Sequence, residues 1–194
     1  MLSKKEIVYR YLLDQYFEKK QFKFTQSELA KLFHISLSTV NNALKPLRAM
    51  GAVEVKSRSF NMLDAKKLIL YWATVRKFEK DIIYATRYED SVSEIEKLMT
   101  SNAVFTAYSA YRFTYKDAPA DYSEVYIYIS KEELSEIKER FQARNGPPNI
   151  FVLEKDPFIR KNKVLSSQIF VDLWNIRTWY AKEYLDAIEK RLFL

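Results

Sequence analysis

A chain of 194 residues with 48% hydrophobic content can bury two modest cores, and two units are the natural expectation. It holds no cysteine, one histidine and two glycines. Disulfides, thiolate nucleophiles, cysteine or multi-histidine zinc sites, Ser-His-Asp chemistry on anything but His34 and glycine-rich phosphate loops therefore fall away.

The net charge of +7 is unevenly spread: Met1 to Phe78 carries 15 Lys and Arg against 6 Asp and Glu, a net of +9, and the rest carries 17 against 19, a net of −2. The positive field belongs to the N-terminal part, as expected of a segment that meets phosphates. Glu6 and Arg10 interrupt the first apolar run, so no signal peptide is expected, and no segment has the length of a transmembrane span. A cytoplasmic protein without a membrane partner is the expectation.

Ser3 is placed to cap a helix from Lys4 to Lys20, with Ile7, Tyr11 and Tyr16 recurring at helical spacing. Phe22 and Phe24 alternate across a short extended piece. Thr25 then stands as an N-cap with Glu28 three residues on, and the short helix it opens turns Leu29, Ala30 and Phe33 inward before a break at His34. From Ser36 to Gly51 a second pattern follows: Val40, Leu44 and Leu47, with Ala43 and Leu37 beside them, form an apolar stripe, and Ser38, Asn42 and Lys45 project from the opposite side. Pro46 predicts a kink. Past Gly51, residues 52–56 have the period of a strand, Ser57-Arg58-Ser59 makes a tip, and residues 60–63 return.

Asp64 caps a helix of about four turns marked by Leu68, Tyr71, Trp72, Val75 and Phe78. It reads as a linker whose aromatic stripe serves either as a homodimer contact or as intramolecular core. Residues 82–86 are β-like, and Ser91 caps a helix over 92–99 with Glu94 at the capping-box position. A helix over 106–113, a strand over 125–129, a helix from Ser130 to Arg144 and a strand over 149–153 come next. Asp156-Pro157 opens a loop carrying Arg160, Lys161 and Lys163, and residues 167–194 are helical, divided near 174–177. This order predicts an α+β fold.

The residues from Gln26 to Gly51 are similar to the winged helix-turn-helix DNA-binding fold: Ile35-Ser36 opens the second helix, Ser38-Thr39-Val40 continues it, and Gly51 precedes the wing. His34 stands where that family usually has Gly. The resemblance implies a winged helix-turn-helix domain over 1–63, with a linker helix over 64–80 and an α+β regulatory or interaction domain over 81–194. Its partner would be double-stranded DNA, with Ser38, Thr39, Asn42 and Lys45 facing the major groove and Ser36 and Asn41 on the same helix. Lys31, Arg48, Lys56 and Arg58 would position the module on the backbone.

Three later patches resemble the C-terminal domain of AbiEi-type antitoxins of toxin-antitoxin systems: Phe105-Thr106-Ala107-Tyr108-Ser109-Ala110, Asn149-Ile150-Phe151-Val152-Leu153 with Asp156-Pro157, and Ser166 to Leu173. That domain in turn resembles nucleotidyltransferases, in degenerate form here, because Tyr108-Ser109 replaces Gly-Ser and Glu124-Val125-Tyr126 retains one carboxylate. A lone Glu at a strand start reads as a solvated residue, so no enzyme activity, catalytic residue, cofactor or metal is expected. The chain reads as a sequence-specific transcriptional regulator, in sense a repressor. The alternative is an antitoxin-like module that neutralises a nucleotidyltransferase-type toxin partner.

Overall fold

Ser3 Oγ accepts the Glu6 N–H at 3.4 Å while the Glu6 carboxylate accepts the Ser3 N–H at 2.9 Å, and this reciprocal cap starts α1, Lys4–Lys19. The computed structural model describes residues 1–159 and 163–193. Two units divide the chain, Leu2–Arg76 and Lys77–Leu192. Thr25 and Glu28 form a second reciprocal cap, both bonds at 3.1 Å, ahead of α2, Gln26–Phe33. His34 then takes φ 52 and ψ 45, and the Ile35 N–H closes back on the Ala30 carbonyl at 3.0 Å. That reversal aims α3, Leu37–Ala49, away from α2.

α3 runs through Pro46 as one helix and ends at Ala49; two residues on, Gly51 takes a φ of +70 that only glycine adopts without strain. A three-stranded antiparallel sheet follows in the order β1 (Lys23–Phe24), β3 (Phe60–Met62), β2 (Val53–Val55). Its β2–β3 hairpin is the expected wing. Phe24 stacks on Phe60 at 5.6 Å across that sheet. Asp64 Oδ1 accepts the Lys67 N–H at 2.9 Å and starts α4, Ala65–Val75.

The segment 64–80, expected as one linker helix, is two elements. α4 ends at Val75 inside the first unit, and a 3-10 turn over Phe78–Asp81 opens the second. The reason lies in the stripe on α4: Leu68, Ile69 and Trp72 are completely buried, which commits the helix to its own unit's core. At its C-terminal end a polar node ties it to α1. The Glu6 carboxylate accepts the Trp72 indole N–H at 3.4 Å and lies 3.5 Å from the guanidinium of Arg76, which is 5% exposed.

The second unit is built on a four-stranded sheet in the order β4 (Ile82–Thr86), β7 (Ile150–Glu154), β6 (Val125–Ile129), β5 (Val104–Thr106). β6 and β7 are parallel; the outer pairs are antiparallel. Every residue of β6 is buried, as a strand covered on both faces requires. Val125, Ile127 and Ile129 pack with Ile95 of α5 (Val92–Lys97) and Ile137 of α7 (Leu134–Arg140). Tyr126 and Tyr128 alternate to the other face. There Asp172 of α8 (Ser166–Trp174) accepts hydroxyls from Tyr128 at 2.8 Å and Thr106 at 2.7 Å. α6, Ala107–Tyr115, packs against α8, and α9 spans Ala181–Phe193.

Three expectations are corrected in this unit. β5 was not anticipated; it runs directly into α6 through Ala107 at φ 50. The helix from Ser130 is a 3-10 turn over Lys131–Glu133 and α7, and it stops at Arg140 because Phe141 leaves the helix to enter the core, where it is fully buried. The last strand covers 150–154, one residue later than expected. Of the expected basic loop, Lys163 is exposed, and Arg160 and Lys161 lie outside the described residues.

Two stability outcomes follow. Glu6→Ala leaves the Trp72 and Arg76 donors without this acceptor in a buried setting, removes the acceptor of the Ser3 N–H at the start of α1 as well, and costs about 3 kcal/mol in all. The measurement is urea unfolding followed by Trp72 emission, in a background where the exposed Trp174 and Trp179 are replaced by Phe; a loss below ~1 kcal/mol would show that the node contributes little. His34→Gly relieves a left-handed residue that carries a Cβ and raises the stability of the same background by up to ~1 kcal/mol, read as a higher urea midpoint.

Candidate nucleic-acid interface

α3 has two faces because one spacing is written twice along it. Val40, Ala43, Leu44 and Leu47 stand at i, i+3, i+4 and i+7, and none is more than 1% exposed. Ser38, Asn41, Asn42 and Lys45 repeat that spacing two residues earlier, which turns them about 200° around the axis. All four are exposed, as is Arg48 one turn further on. The helix is held from behind and bare in front. The side chains of Lys31, Ser38, Asn41, Asn42, Lys45, Arg48 and Arg58 make no hydrogen bond or ion pair among the described residues.

Ser36 and Thr39 behave differently from the rest of the expected set. Ser36 Oγ accepts the Thr39 N–H at 3.1 Å and lies 2.9 Å from the Thr39 hydroxyl. These two hydroxyls start the helix and engage each other, and Thr39 is half-buried. Leu37 departs from expectation in the opposite sense. It lies on nearly the same angular line as Leu44 but two turns closer to the helix start, where nothing packs over it, and it is 53% exposed. An apolar side chain thus stands uncovered at the leading end of α3, beside the polar face rather than on it.

The wing closes where the Lys56 N–H meets the Ser59 carbonyl at 2.8 Å, leaving Arg58 exposed at the tip. Lys56 is paired with Glu54 at 3.1 Å, both about half exposed, so its charge is partly offset within the wing. Sequence reading also missed a cation. Lys67 is exposed on α4, and its Nζ lies 3.9 Å from where a Cβ would stand on Gly51, which brings a charge to the junction of α3 and the wing. The signal for it was the N-cap at Asp64, which sets the register that points Lys67 there. No group of metal-binding side chains occurs among the described residues, and none of their helices is long and apolar enough to cross a membrane.

This arrangement of α1, α2, α3, wing and α4 meets an independent comparison. Residues 8–71 match the Crp-like helix-turn-helix domain family. No curated protein and no solved structure matches the chain. The match stops short of the second unit, so it lends nothing to the antitoxin and nucleotidyltransferase resemblances, whose patches all lie there. The first unit is similar to the DNA-binding domain of helix-turn-helix transcriptional regulators, and that match supports DNA as its partner.

Proposed function

We propose that the chain is a transcriptional regulator whose first unit inserts α3 into the major groove of duplex DNA. One observation carries this reading: a helix face of short polar and cationic side chains, free of internal partners, backed by four buried apolar residues. Ser and Asn lie close to the helix axis, and the groove is wide enough to admit such a helix. Asn42 has two donors and an acceptor for a bidentate contact with adenine, and Asn41 stands beside it. Lys45 and Arg48 reach guanine or phosphate. Leu37 offers apolar contact to a thymine methyl. Arg58 at the wing tip, Lys31 and Lys67 would carry backbone contacts, which hold register without reading sequence.

The test is fluorescence anisotropy with a duplex from the gene's own upstream region. Binding is expected at low salt and should weaken steeply as salt rises, because each phosphate contact releases a counterion. Lys45→Glu with Arg58→Glu should abolish it. Undetectable binding at low salt, or binding unchanged by the double charge reversal, overturns the reading.

Two further substitutions separate positioning from readout. Arg58→Ala weakens binding to all duplexes alike and lowers the salt slope by about one. Asn42→Ala costs roughly 1–3 kcal/mol on the preferred duplex and narrows its advantage over a scrambled one. If Leu37 reads a thymine methyl, replacing thymine by deoxyuridine across the site weakens the natural protein, while Leu37→Ala no longer distinguishes the two duplexes.

A further inference from the structure

Buried tyrosine hydroxyls ordinarily find a partner. Around β6 most of them do: Tyr128 donates to Asp172 at 2.8 Å, Tyr184 to the Ala120 carbonyl at 2.6 Å, Tyr180 to Glu124, and Tyr108 pairs with Thr178. Tyr126 is the exception. The residue as a whole is 6% exposed, yet its hydroxyl oxygen is not sealed from solvent and makes no hydrogen bond among the described residues. Burial, reinforced by the neighbouring Glu124 carboxylate, pushes its ionisation far above the usual phenol range, so the group stays a neutral donor and acceptor.

Tyr126 borders a cleft of about 350 Å³ within the second unit, at the lower end of the range for small-molecule pockets. The wall is aromatic. The Tyr126 and Phe151 rings stack at 4.7 Å and 9°, and Phe78 meets Tyr126 at 5.8 Å. Glu124, half-buried beside them, accepts the Tyr180 hydroxyl on Oε2, and its Oε1 has no hydrogen-bond partner among the described residues. Arg177 at the rim could neutralise it, but Arg177 lies 3.6 Å from Glu79, and both of those side chains are exposed. A carboxylate and a phenol, each with unused bonding capacity, therefore meet beside an aromatic surface.

We infer that this cleft binds a small aromatic or heteroaromatic amine, with its ring against the Phe78, Tyr126 and Phe151 wall and its ammonium between Glu124 Oε1 and the Tyr126 hydroxyl. The ring buries apolar area, the aromatic wall attracts the positive charge, and the charge-assisted bonds to Glu124 select an amine over an acid. This holds whether or not the first unit binds DNA.

The probe is tryptamine, titrated into the full chain without DNA and followed by calorimetry, with indole-3-propionate as the carboxylate counterpart. Tryptamine should bind saturably at one site with a Kd on the order of 1 mM or tighter, and indole-3-propionate should not. Glu124→Gln should weaken tryptamine about tenfold, and Tyr126→Phe, which keeps the ring, several-fold. Absence of saturable tryptamine binding overturns the inference. So does equal binding of the carboxylate, or unchanged tryptamine affinity in Tyr126→Phe. The amine-against-acid comparison needs no substitution, so it decides the matter even if Glu124→Gln fails to fold.

Discussion

The seating of α3 on α1 is the constraint from which the first unit follows. Val8, Leu12 and Leu13 on α1 are completely buried, and Val40, Leu44 and Leu47 on α3 are within 1% of it. Each such side chain contributes roughly 1.5–3 kcal/mol by leaving water, but area alone does not fix how a helix is rotated about its axis. A directional contact does. The Tyr9 hydroxyl donates to the Ala43 carbonyl at 3.1 Å in the middle of α3, and burial keeps the phenol protonated and so a donor. Rotating α3 by one residue, about 100°, would break that bond and bring Asn41 or Lys45 toward the core.

With the rotation fixed, the anomalies of α3 make physical sense together. Pro46 lacks an N–H, which deprives the Asn42 carbonyl of its helical partner. Asn42 is exposed, so its carbonyl does not have to be satisfied from within the core, and the helix continues. Had the proline stood at position 48, the orphaned carbonyl would belong to the buried Leu44. The two ends of α3 follow a related logic. Left-handed residues flank it on both sides, His34 at φ 52 and Gly51 at φ 70, and each reverses the chain within a residue or two. A short, sharply bounded helix results, with the wing beginning directly after it.

Most of the first unit was legible because its helix starts are chemical rather than statistical. Ser3, Thr25 and Asp64 accept the N–H three residues on and were read as caps; Ser36 does the same, but its place was read as DNA-facing. What stayed hidden there depends on how far a partner extends. Leu37 has the angular position of a core residue, and only the absence of cover at the helix start exposes it. The second unit was less legible because its transitions carry no punctuation. Val104-Phe105-Thr106 passes into α6 through Ala107 in a left-handed conformation that a sequence marks only when the residue is Gly or Asn. Phe141 continues a helical pattern on paper, yet the core draws it out of the helix. Glu124, read as solvated, is half-buried and accepts the Tyr180 hydroxyl, a contact 56 residues away that no local pattern encodes.

The tyrosines make the same point about function. A strand propensity scale counts Tyr126 and Tyr128 alike, two residues apart on one face of one strand. Tyr128 spends its hydroxyl on Asp172, which also holds Thr106, so that a single carboxylate ties β5, β6 and α8 together. Its neighbour has the same ring, comparable burial and no such closure. The difference between a structural tyrosine and one available to a ligand lies in whether the protein has already satisfied it. The bare face of α3 obeys the same rule on the surface: among the described residues, Ser38, Asn41, Asn42 and Lys45 have no side-chain partner of their own. In both units the sites that can act on something else are the polar groups that the fold leaves unanswered.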